Sequence, residues 1–142
     1  MKIISWNVNG IRAIAKKGFH DFLLLHSPDI LCLQETKANP DQLTQDLLAP
    51  ENYEVYWSSA QKKGYSGVAT FTKKTPNKII HGLGEERFDS EGRTVITEYN
   101  DFVLFNIYFP NGQKDDERLQ YKMDFYNHFL IVSEKYRKQG KK

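Results

Sequence analysis

Ile30-Leu31-Cys32-Leu33-Gln34-Glu35-Thr36-Lys37 reads as a short apolar strand that stops at an amide and a carboxylate. A second run of the same form precedes it: Ile3-Ile4-Ser5-Trp6-Asn7-Val8-Asn9-Gly10. Open α/β sheets gather their chemistry at the carboxyl ends of neighbouring strands, and here those ends carry Asn7, Asn9, Gln34 and Glu35. A lone carboxylate framed by carboxamides offers hard oxygen ligands with little fixed charge. That suits Mg²⁺, which keeps most of its waters and binds through one or two carboxylates plus substrate phosphate. Asn and Gly also make ordinary turns at βα corners, and either corner alone reads that way. Two together point to a site.

Composition sets bounds without naming an activity. The 142 residues suffice for one domain with a core. An apolar fraction of 39% and a mean hydropathy of −0.63 describe a soluble protein. No apolar run approaches the ~18 residues of a membrane span, and Met1-Lys2-Ile3 leads straight into a strand without the pattern of a signal peptide. The single Cys32 has no partner, which excludes a disulfide framework and a cysteine zinc site and fits a reducing, cytoplasmic setting. The formal charge of +2 is compatible with a polyanionic partner but does not require one.

Working outward, the pattern predicts a strand at Lys2–Asn7 and helical turns through Ile11–Ala15 and Phe19–His26, bent at Gly18 and closed by Pro28. Asn39-Pro40-Asp41-Gln42 has the form of a helix start, with Leu43, Leu47 and Leu48 as that helix's apolar face. From Tyr53 the period becomes strand-like: Tyr53–Ser58, Val68–Thr72, Asn77–Gly82, Thr94–Tyr99 and Phe102–Phe109. Tyr99-Asn100-Asp101-Phe102 predicts a two-residue hairpin, so this part is antiparallel. The last element runs from about Asp115 to Arg137 as a helix with Leu119, Met123, Tyr126 and Leu130 on one face. The fold class is therefore α/β (α+β), a mixed and mainly antiparallel sheet with flanking helices. Phe102–Phe109 is apolar on both alternating faces, and such a strand is covered on both sides. One helical layer can cover one face. The other is expected to lack a partner, which would make the sequence incomplete as a folding unit.

Three further segments can carry chemistry. Lys62-Lys63-Gly64-Tyr65-Ser66-Gly67 is a loop whose glycines permit close approach to an anion and whose Tyr65 can stack on a base. Arg93, at a strand start after Glu91-Gly92, has the planar fork that binds phosphate. Tyr108 and Asn111 stand three apart across Pro110, so both polar tips can face one pocket. Each also has an ordinary reading: solvated lysines in a hairpin, an exposed arginine in a turn, a core tyrosine beside an Asn-Gly turn. The residues alone leave these open. His20, His26, His81 and His128 show no metal-ligand spacing, and the lysines at 135, 138, 141 and 142 with Arg137 read as a solvated helix end or a nucleic-acid contact.

Taken in order, Ser5–Gly10, Leu31–Lys37, Gly64–Val68, Glu91–Arg93 and Tyr108–Asn111 resemble the motifs of the exonuclease III type of abasic-site endonucleases. The resemblance covers the chain from Lys2 to the helix near Arg137, and it implies the N-terminal part of a single domain over residues 1–142, half of a four-layer α/β/β/α sandwich. By this resemblance Glu35 is the carboxylate metal ligand, Asn7 orders the metal and its water shell, and Asn9 takes a place that Asp fills in some members. Tyr108 and Asn111 are catalytic groups at the scissile phosphate. Tyr65, Arg93, Asn111 and Lys114 face DNA. The implied activity is Mg²⁺-dependent base-excision repair, with Mn²⁺ as a possible substitute: cleavage on the 5′ side of an abasic site in duplex DNA, and trimming of 3′ ends. The family's Gly-Asp-x-Asn and Ser-Asp-His motifs, which supply its base and histidine, occur nowhere in this sequence. Together with the second sheet and closing helices they are expected beyond Lys142, so an inactive fragment that docks a C-terminal half or self-associates through an uncovered sheet is the expectation. A phosphodiesterase of the same superfold acting on RNA, inositol phosphates or lipid head groups is the alternative within the superfold. A non-catalytic DNA-binding remnant is the alternative outside it.

Overall fold

The computed structural model describes all residues from Met1 to Lys142. The two apolar runs that end in polar tips become β1 (Ile3–Asn7) and β2 (Ile30–Gln34), paired in parallel with Asn7 opposite Gln34. Parallel neighbours need a crossover, supplied by α1 (Ile11–Ala15) and α2 (Phe19–His26), separated at Gly18, whose φ is +97°. β3 (Glu54–Ser58) and β4 (Val68–Thr72) complete a first sheet in the order β1-β2-β4-β3, all antiparallel beyond the β1–β2 pair. β5 (Lys78–His81), β6 (Thr94–Glu98) and β7 (Val103–Ile107) form a second, wholly antiparallel sheet. The β6–β7 turn is the expected hairpin: the Tyr99 N–H donates to the Phe102 carbonyl at 2.9 Å, with Asn100-Asp101 as its loop.

Period-two alternation sorts these strands into layers. Leu31, Leu33, Ala69 and Phe71 face outward on the first sheet and bury against Ile11, Phe19 and Leu23 of the crossover helices. Ile30 and Cys32 face inward, against Tyr99, Phe102 and Leu104 of the second sheet. On the far side, Ile96 packs with Phe88 of α4 (Glu86–Asp89) and Phe125 of α5 (Asp116–Lys138). Three cores separate four layers: helices, sheet, sheet, helices. Burying a Phe such as Phe125 contributes about 1.5–3 kcal/mol, and its edge-on contacts to Phe88 at 5.3 Å and Phe109 at 5.8 Å fix how α5 lies on the second sheet.

Four expectations are corrected here. The second sheet is not beyond Lys142; it is β5-β6-β7, and all four layers are present in the chain. The inward face of β7 is not left without a partner: Leu104 and Asn106 lie against the first sheet. The helix expected from Asn39 is a 3₁₀ turn at Pro40–Gln42, capped as expected by Asn39 and Gln42. Leu43 is extended after it, and a separate short α3 (Gln45–Leu48) follows. Finally, α5 is rotated from the expected face. Phe125 with Tyr121, Phe129, Val132 and Tyr136 packs on the sheet, while Leu119, Met123 and Leu130 are exposed, Leu130 at 59%. Both stripes of this helix are apolar, so helical period alone does not choose between them; the aromatic stripe has more area to bury. No helix is long and apolar enough to cross a membrane.

Candidate active site

Beyond β1 and β2 the backbone enters left-handed conformations at Asn9 (φ +46°), Glu35 (φ +55°) and Lys37 (φ +52°), and the neighbouring β3–β4 loop does so at Ser66 (φ +51°). Side chains other than glycine resist this region, and such strain persists where surrounding bonds over-determine it. Those bonds are present. Gly10 and Ile11 N–H donate to the Glu35 and Thr36 carbonyls at 2.7 and 3.0 Å, and Thr36 and Lys37 N–H donate to Gly67 and Ser66 at 3.1 and 2.9 Å. Gly67 is at φ +89°, and a Cβ there would sit 2.3 Å from Thr36 Oγ1, so only glycine lets the loop close on the Glu35 turn.

The turn sets Glu35 among donors. Asn7 Nδ2 donates to Glu35 Oε1 at 2.8 Å, and Asn7 Oδ1 accepts from the Asn9 N–H at 3.1 Å. Lys37 Nζ lies 3.3 Å from Glu35 Oε2 and donates to Asn9 Oδ1 at 2.6 Å. Burial alone would raise the Glu35 carboxyl, but hydrogen bonds from Asn7, Tyr108 and Lys37 and the lysine's charge outweigh it, holding the carboxyl below its ordinary range. An ionised carboxylate beside the Asn9 amide oxygen, already drawing an ammonium group between them, can hold a hard cation.

Tyr108 arrives from the other sheet. On β7 the inward positions are Leu104 and Asn106, and Tyr108 continues that face just past the strand's end, which brings its hydroxyl beside the Glu35 carboxylate. Burial and the Glu35 anion push the Tyr108 hydroxyl up to about 12. It is therefore a donor at neutral pH, not a base. Behind Tyr108, Arg93 is 3% exposed and fully engaged: Nε to Glu91 at 2.6 Å, one terminal nitrogen to the Tyr108 carbonyl at 3.0 Å, the other to the Tyr65 hydroxyl at 2.8 Å. Arg118, on the first turn of α5, donates to both Glu91 oxygens at 2.9 and 3.1 Å. Burial works against the Glu91 anion, yet Arg118 and Arg93 hold its carboxyl below the usual range.

The expected residues thus lie at one end of the sandwich. Glu35, Asn7, Asn9 and Tyr108 meet as described. Asn111 and Lys114 line a cleft of 240 Å³ with Tyr65, Tyr108 and Arg118. Arg93, expected to face DNA, also lines this cleft, while most of its guanidinium is buried as a clamp that holds Tyr65 and Tyr108 together. Asn7, expected to order a metal's surroundings, also orients the Glu35 carboxylate directly. Sequence reading missed Arg118 and the role of Glu91. The motif around Glu91 was visible, but nothing local indicated that an α5 arginine would fold onto it.

Comparison with known proteins agrees with this fold. The sequence pattern of the Endonuclease/Exonuclease/phosphatase family matches residues 4–141. The chain is 45% identical over 126 residues to an exodeoxyribonuclease of Bacillus subtilis (strain 168), covering 88% of this chain and 49% of that protein. It is 44% identical to a DNA-(apurinic or apyrimidinic site) endonuclease of Dictyostelium discoideum, covering 87% of this chain and 34% of that one. The catalytic domain of Xenopus laevis APE2 superposes with a TM-score of 0.81 at 35% identity, covering 94% of this chain and 53% of that domain. The chain spans about half the length, or less, of the curated relatives it matches. It belongs to the Endonuclease/Exonuclease/phosphatase family, and the relatives it is similar to are named as an exodeoxyribonuclease and abasic-site endonucleases.

Proposed function

We propose that this chain carries the metal- and phosphate-binding side of a DNA-repair nuclease that hydrolyses the phosphodiester on the 5′ side of an abasic site and trims 3′ ends. The observation that carries the reading is the cluster of Asn7, Asn9, Glu35 and Lys37 at the tips of β1 and β2, with Tyr108 brought beside it from the other sheet and a cleft lined by Tyr108, Asn111, Lys114 and Arg118. The names of the similar proteins support DNA as the substrate.

The residues fit Mg²⁺, or Mn²⁺ in its place. No cluster of three His, Cys, Asp or Glu exists that would make a protein cage for a metal. A single ionised carboxylate with an amide oxygen beside it instead matches an ion that keeps its waters and shares the substrate's phosphate. Glu35 and Asn9 would hold it, and Asn7 would fix the carboxylate's orientation. Bound there, the ion supplies positive charge to the phosphoryl oxygens of the transition state. Tyr108 keeps its proton and donates to the same phosphate, which steadies charge as it develops. Asn111 Oδ1 accepts from the Gln113 N–H at 2.8 Å, so the amide is pre-oriented with its Nδ2 hydrogens left for phosphate. Lys114 and Arg118 attract the DNA backbone.

The attacking water also needs a proton acceptor. Glu35 and Glu91, the carboxylates beside this cleft, are each held ionised by donors and carry depressed proton affinity. We therefore assign the base to none of the residues here, and this chain by itself turns over slowly. The test is a substrate panel with Mg²⁺: abasic duplex, intact duplex with a recessed 3′ end, and inositol phosphates. Abasic duplex should be bound best, with metal-dependent cleavage many orders below enzyme rates. Enzyme-like cleavage of the abasic duplex by these residues alone would overturn the assignment of the base. Preference for inositol phosphates would overturn the DNA reading.

A further inference from the structure

Between the two sheets, in a layer that holds Ile30, Cys32, Tyr99, Phe102 and Leu104, lies a carboxamide that is 2% exposed: Asn106 of β7. Its Nδ2 donates to the Ala69 carbonyl at 2.9 Å and the Thr70 hydroxyl at 3.1 Å on β4, and lies 3.4 Å from the Leu33 carbonyl on β2. Its Oδ1 accepts from Gln34 Nε2 at 2.9 Å, and Gln34 Nε2 also reaches the Ser5 hydroxyl of β1 at 3.0 Å. One buried side chain is therefore bonded to two strands of the opposite sheet, β2 and β4, and through Gln34 it is linked to a third, β1. Filling this place with a carboxamide costs desolvation that an aliphatic residue would avoid, so its directional bonds are what it offers in return.

The positions of its partners give those bonds a purpose. Gln34 is the residue immediately before Glu35. Asn106 is two residues before Tyr108, on the same inward face of the same strand. We propose that Asn106 is a positioning residue for the Glu35–Tyr108 pair: its bridge to Gln34 and β4 fixes the tip of β7 against the tip of β2, so that Tyr108 is held beside Glu35. Packed sheets joined by apolar contacts alone can slide, because dispersion contacts are non-directional. A carboxamide donating to backbone carbonyls on one strand and accepting from a neighbour on another cannot. The inference rests on the reading of Glu35 and Tyr108 as one site.

The test reads the Tyr108–Glu35 contact directly at one pH. Tyrosine labelled with ¹³C at Cζ reports the hydrogen bond of each phenol, and Y108F assigns the Tyr108 resonance. In the otherwise unaltered chain, E35Q should displace that resonance; no displacement would overturn the site reading itself. Given the displacement, N106L should move the Tyr108 resonance by at least half as much as E35Q does. Tyr53 and Tyr136, whose hydroxyls donate to the Pro28 carbonyl and to Glu98, should stay in place. A merely structural loss would move all three. Where N106L fails to fold, Q34M removes the arm of the bridge that leads to the residue before Glu35, from a partly exposed position, and is read identically. N106L or Q34M folded with Tyr108 unmoved overturns the positioning role, as does a shift common to Tyr53, Tyr108 and Tyr136.

Discussion

Neutralising Glu91 should unfold this protein more readily than removing any solvent-exposed charge, and the structure gives the size of the effect. Arg93 is 3% exposed, and its shortest bond is to Glu91 at 2.6 Å. Removing one partner of a buried ion pair leaves an uncompensated charge and costs roughly 3–5 kcal/mol. Arg93 keeps its bonds to the Tyr108 carbonyl and Tyr65, and Arg118 is 23% exposed and can turn to water, so E91Q should fall at the low end, about 3 kcal/mol. With a urea dependence of about 2 kcal/mol per molar, the midpoint falls by about 1.5 M. The sign with pH is fixed by the direction of the shift. Glu91 titrates lower folded than unfolded. Its contribution is therefore whole above the unfolded carboxyl value near ~4.3 and disappears as pH falls through the lower folded value. The gap between wild type and E91Q should thus be constant from neutrality down to about pH 5 and narrow below about pH 4. A loss under about 0.5 kcal/mol, the range of an ordinary surface substitution, or a gap that widens in acid, would refute the buried-clamp account.

Three other outcomes follow from the same geometry. E35Q should weaken Mn²⁺ or Mg²⁺ binding by at least about tenfold in calorimetric titration, since it removes the carboxylate charge on which such sites depend; unchanged affinity would remove Glu35 from the metal site. F125A should cost about 3–5 kcal/mol in thermal or urea unfolding, while L130K should stay within about 0.5 kcal/mol; the reverse order would restore the helix face read from the sequence. G67A should lose at least about 2 kcal/mol, because it combines a left-handed backbone with a Cβ 2.3 Å from Thr36 Oγ1; a neutral result would show that the β3–β4 loop is not pinned to the Glu35 turn.

Local chemistry along the chain accounts for much of the element list and for the polar groups at the strand tips. Apolar runs that stop at Asn7 and Glu35 are local facts, and so are the Asn100-Asp101 hairpin and the Asn39 cap, because propensity and turn chemistry act over a few residues. Which faces meet is settled by packing between elements. α5 carries two apolar stripes, and only the competition for the second sheet shows that Phe125 goes in and Leu130 stays out. The inward face of β7, which looked unpartnered, is covered because the sheets stack on each other. Arg93 looked like a phosphate ligand because a planar fork at a strand start is one; its burial depends on Glu91, Tyr65 and Arg118, and Arg118 comes from another layer. Periodicity records that a side chain wants burial or a partner. Which partner it finds is set by long-range packing, where the free energies of many contacts are compared at once, and a one-dimensional pattern does not contain that comparison.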